Sequence, residues 1–65
     1  MNIIFITNID GEVCHETNDS IWTEIPQKGD DIRGRTVKRP GHDFVVEKRY
    51  FVEPKILMIM LKKIL

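Results

Sequence analysis

"PKILMIMLKKIL", residues 54–65, is the most apolar part of a 65-residue chain, and two elements compete for it. A helix has a case. Pro54 suits a first helical turn, Leu and Met are good helix formers, and Lys62 and Lys63 would sit in the last turn against the negative end of the dipole. Such a helix would be apolar all round, with no polar face. A continuous run such as ILMIML also fits a strand buried on both faces. We read it as a strand. The chain is then all-β, and the alternative is an α+β chain ending in a helix over 55–65. Six uninterrupted apolar residues fall far short of the ~20 that cross a bilayer, so the run is a core or interface element and no membrane partner is expected.

The rest of the chain supplies strands for it to pair with. "NIIFIT" (2–7) is β-branched and aromatic, and reads as a strand. "NIDG" (8–11) is a turn in which Gly11 takes positive φ and Asp10 bonds a neighbouring backbone group. "EVCHE" (12–16) is the return strand and "TNDS" (17–20) another turn. "IWTEI" (21–25) alternates, with Ile21, Thr23 and Ile25 on one side and Trp22 and Glu24 on the other. Pro26 stops it, because proline gives a sheet ladder no donor.

"DIRGRTVK" (31–38) then forms a hairpin with "DFVVEKRYFVE" (43–53) across "RPGH" (39–42). Pro40-Gly41 suits the centre of a type II turn. A bulge at Gly34-Arg35 would let Ile32 and Val37 both face the core, and Lys38 would close the hairpin against Asp43. The long strand 43–53 is expected to bend. Five or six short strands with regular turns predict a single small β-barrel domain over residues 1–65, closed so that no edge invites aggregation.

"IPQKGDDI", the hairpin, "FVVEKRYF" and "ILMIML" together resemble short bacterial and phage proteins with SH3-like barrels. The likeness spans roughly residues 25–61 and rests on turn and core positions. It implies a five- to six-stranded SH3-like barrel with a final strand in place of a helix. It implies no catalytic residue. The Arg-rich hairpin and "CHETNDS" depart from the pattern.

Size and charge limit what the chain does. A domain this small hides only ~60% of its unfolded surface. Its core supplies roughly 3–5 kcal/mol. Cys14 is the only cysteine, so no intrachain disulfide forms, and a lone thiol suits the cytoplasm. The opening "MNIIFITNIDGE" lacks the basic region and the long apolar run of a secretion leader. Residues 1–32 carry seven acids and one base, and residues 33–65 nine bases and three acids, giving halves of −6 and +6. Such asymmetry points either to a polyanion partner or to two halves that neutralise each other.

No catalytic set is expected. Cys14 and His15 are adjacent on a strand, so they should point to opposite faces, and His42 lies in a turn. Zinc-type ligand spacing is absent, and no cofactor loop is recognisable, so neither metal nor cofactor is expected. The expected function is non-enzymatic binding. Arg33, Arg35, Lys38 and Arg39, joined by Lys48 and Arg49, form a candidate surface for nucleic acid or a nucleotide. Trp22, Tyr50, Phe51, Met58 and Met60 are candidate interface residues. The alternative is a protein–protein interaction module or a small phage-type inhibitor of a host protein. Because ILMIML needs cover on both faces, a homo-oligomer, most simply a two-fold dimer, is expected.

Overall fold

Residues 54–65 resolve first. In a computed structural model, which describes residues 1–9 and 11–64, Ile56–Lys63 is a strand. The five strands are β1 (Asn2–Thr7), β2 (Val13–Asn18), β3 (Asp31–Arg33), β4 (Asp43–Glu53) and β5 (Ile56–Lys63). They form one mixed sheet in the order β2-β1-β5-β4-β3, with β5 at its centre. It pairs parallel with β1 and antiparallel with β4. A central strand has neighbours on both edges and side chains on two partly covered faces, which is why its sequence shows no polar alternation. Leu57, Ile59 and Leu61 are buried on the inner face, while Ile56, Met58 and Met60 are half-buried on the outer one. Among the described residues there is no α-helix. Leu65, the last position of the helical alternative, lies outside them, as does the turn bond expected of Asp10.

The sheet curls into a half-barrel rather than closing. β2 and β3 are its edges and do not pair. The expected closed barrel fails because β3 is only three residues long and its continuation turns away. The curl comes from β4. Its register against β5 shifts between Val46 and Lys48 and again between Phe51 and Glu53. Each extra residue bends the strand and raises its local twist.

The concave face holds the core: Ile3, Phe5, Val37, Phe44 and Ile59 are fully buried, with Val46, Leu57 and Leu61 nearly so. Its open side is lidded by residues 22–30, which were expected to begin as a strand over 21–25. That expectation is overturned. The Asn18 side chain accepts from the backbone N–H of Ser20 and starts a 3-10 turn, Asp19–Ile21, that leaves Ile21 exposed. Trp22 then packs its ring 5.7 Å from that of Phe5, and its Nε1 donates to Thr17 Oγ1 at 3.3 Å. Two backbone bonds of 2.9 Å, Gly29 N–H to Val46 O and Val46 N–H to Asp30 O, tie the crossing to β4.

Two further expectations are corrected. The register of β1 against β2 shifts between Phe5 and Ile6, so Cys14 is an extra, bulged residue. Cys14 is buried in the core with its thiol donating to Phe5 O at 3.5 Å, and the His15 ring lies 5.9 Å from the Phe5 ring. Both side chains therefore lean to one face, against simple strand alternation. The second correction concerns residues 34–38, which are a turn of helical type and not a strand.

Candidate anion-binding loop

Gly34 is where β3 ends. Its backbone is buried, and an added Cβ would overlap the carbonyl oxygens of His42 and Arg39. Only glycine allows that approach. From there the chain winds through one tight turn. Thr36 N–H bonds Arg33 O and Val37 N–H bonds Gly34 O. Arg39 N–H then reaches back to Gly34 O at 2.7 Å, and Lys38 N–H to Arg35 O at 3.4 Å. This double closure is the Schellman pattern of helix ends, with Lys38 at the position that glycine usually occupies. Lys38 has φ +60°, the left-handed region. The turn sends Val37 into the core beside Ile32, so both are buried without the expected bulge. Pro40-Gly41 follows as expected: Gly41 has φ +90° and His42 N–H bonds Arg39 O at 3.3 Å.

Asp43 anchors the loop's base. Its carboxylate accepts from the Arg33 guanidinium at 3.0 Å and from Gly34 N–H at 3.3 Å. Lys38 was the expected partner of Asp43. The helical turn carries it elsewhere, and Arg33 takes the place. Arg33, Arg35 and Lys38 are exposed and Arg39 is half-buried. Arg33, Gly34, Arg35 and residues 40–43 line an open depression of about 520 Å³. His42 Nδ1 is buried there with no hydrogen-bond partner among the described residues. Lys38 instead faces β2. His15 titrates below its ordinary value because burial disfavours the imidazolium and the Lys38 charge adds to that.

Lys48 and Arg49 do not join this loop. Neighbours on a strand point oppositely, and the register sets Lys48 beside Met60 on the outer face, with Arg49 beside Ile59 on the inner side. Lys48 Nζ lies 5.8 Å from the Tyr50 ring centroid, and Arg49 donates to Pro26 O at 3.3 Å. The five candidate interface residues separate in the same way. Tyr50, Met58 and Met60 share the outer face, Phe51 lies on the inner side beyond the core, and Trp22 belongs to the core. Ile4 and Ile6, half-buried beside Met58 and Met60, complete the outer apolar strip. The uninterrupted apolar run IIFI was the available signal for them. For Gly34 the glycine itself was the signal, read as a bulge, while the approach of the residue 39 and 42 carbonyls had none.

Comparisons with protein-family models, with curated proteins and with solved structures find no match to this chain. The fold is a small all-β sheet curled into a half-barrel.

Proposed function

We propose that the protein is a non-enzymatic binding module that holds phosphate groups of a nucleic acid in the loop 33–43. The observation that carries this reading is the loop's construction. A buried glycine and a left-handed lysine hold Arg33, Arg35 and Lys38 exposed on one tight turn, with Arg33 and Arg35 lining a shallow depression and Asp43 as the acid bonded at its base. Non-glycine residues in that region cost of order 1–3 kcal/mol, and such strain clusters at binding sites. Lysine and arginine side chains on a projecting turn suit a backbone of repeated phosphates. The exposed Arg33–Asp43 pair is worth little in water, so Arg33 is free to exchange its carboxylate for a phosphate. Absence of catalysis is part of the proposal, supported by the burial of the Cys14 thiol. So are a cytoplasmic location, which suits that lone thiol, and an SH3-like kinship, which rests on the turn and core positions of residues 25–61.

Fluorescence anisotropy with labelled oligonucleotides tests it. With Arg33, Arg35 and Lys38 each on a phosphate, log K should fall with log salt at a slope of about −2.7 on duplex or about −2.1 on a single strand. Changing Arg35 and Lys38 to Ser should flatten that slope by roughly one and a half to two units. Lack of binding to either form at about 50 mM salt overturns the proposal. A second reading, a protein-interaction module, draws on the outer apolar strip.

A further inference from the structure

We infer that the outer face of the β1–β2 pair holds a binding site for a guanidinium group on an alkyl stem, with the Glu16 carboxylate as its counter-charge and Ile4 and Ile21 flanking the stem. The site is separate from the anion-binding loop, because none of residues 33–43 lines it.

The register builds the site. Asn2 lies opposite Asn18, and Ile4 opposite Glu16. Both pairs point to one face, since they stand two residues apart along the strands. Asn18 then caps the 3-10 turn, and that turn brings the exposed Ile21 to the same place. All five residues line an open depression of about 440 Å³.

The charge there has one sign. Glu16 is the one charged residue of the lining, and among the described residues its carboxylate has no ion pair or hydrogen bond. His15 also lines the depression, and burial followed by the Lys38 charge keeps it neutral at pH 7. Lys38 acts on His15 without entering the lining. Residues 1–32, which supply both strands, sum to −6. An anion is repelled from such a place, and an uncharged amide leaves the carboxylate only water. An organic cation is what it attracts, and the two isoleucines offer apolar contact to a stem that carries one.

The spacing of acceptors selects among cations. Asn18 Oδ1 already accepts from Ser20 N–H at 3.1 Å, which leaves the Asn2 amide oxygen as the second acceptor beside Glu16. Asn2 and Glu16 are diagonal neighbours on adjacent strands, about 7–8 Å apart at the backbone. A guanidinium carries its donors on several sides of a plane, so two hold the carboxylate while another reaches the amide. An ammonium is a point charge that serves the carboxylate alone.

Proton–nitrogen NMR titration of the full chain tests the assignment. The probe is N-acetyl-arginine methylamide, with the uncharged citrulline analogue and the lysine analogue as controls. The arginine probe should shift the side-chain amides of Asn2 and Asn18 and the backbone amides of residues 15–18. Its dissociation constant should be on the order of millimolar, as an open site gives. The citrulline probe should bind about tenfold more weakly and the lysine probe about threefold. Glu16→Gln should weaken the arginine probe about tenfold and leave the rest of the spectrum in place. Ethylguanidinium separates two sources of the group. Binding as tight as that of the arginine probe assigns the site to free alkylguanidines, and weaker binding assigns it to arginine side chains of a protein partner. No shift of these amides up to about 20 mM probe overturns the inference. So does a citrulline probe that binds as well as arginine, or a Glu16→Gln chain that binds unchanged. A lysine probe that matches arginine overturns the choice of guanidinium.

Discussion

Lys38 stands where helix ends ordinarily place glycine. Its side chain supplies charge to the loop, and its backbone bears the cost. Replacing it with glycine relieves a left-handed Cβ clash of roughly 1 kcal/mol. In a domain of this size that corresponds to a rise in Tm of about 4–8 °C, readable by thermal melting. The same variant should bind nucleic acid with a shallower salt slope, so stability and binding move in opposite directions. His15 gives a second measurable consequence. Burial and then the Lys38 charge hold its pKa below the ordinary value of 6.5, so the unfolded chain takes up its proton first as pH falls. Stability from this group is complete above pH ~6.5 and declines as pH drops from there to the lowered folded value. Urea midpoints measured from neutral pH down to about pH 5 should fall for wild type. They should fall less for His15→Gln, which has no proton to gain, and less for Lys38→Gly, where one cause of the shift is gone.

The strand β5 shows its two faces through mutation. Leu57 is buried on the concave side and Met58 is half-buried on the convex side. Truncating a buried leucine to alanine costs roughly 2–5 kcal/mol. That matches the whole stability available to a chain this short, roughly 3–5 kcal/mol. Leu57→Ala should therefore be largely unfolded at 25 °C by circular dichroism. Met58→Ala should remain folded with a loss of about 1 kcal/mol. Equal losses at both positions would mean that the core is not on the concave side. The lid 22–30 is held differently, by a tryptophan that fills the mouth of the half-barrel and by backbone bonds to Val46. It joins the strands of one edge to those of the other and stands where further strands would have closed a barrel.

The whole chain separates two kinds of surface. A charged loop projects from one end, and an apolar strip of Ile4, Ile6, Met58 and Met60 lies on the back of the sheet. Much of the architecture was legible beforehand. The all-β class followed from the missing helical period in residues 54–65, the turn at 40–41 from proline and glycine chemistry, and the bend in β4 from its length. These are local properties, set by which φ and ψ a few adjacent residues allow. What period and turn chemistry do not encode is pairing between distant segments. The parallel match of β1 with β5 joins the two ends of the chain. That match sends Ile4 and Ile6 to the outer face beside Met58 and Met60. The bulge at Cys14, the shifts in β4 that part Lys48 from the loop cations, and the diversion of Trp22 into the core all arise from that pairing and from the space it leaves. Gly34 states the point most sharply. Its neighbours in sequence permit a strand through residue 38, and the carbonyls of residues 39 and 42 occupy the space any side chain would need.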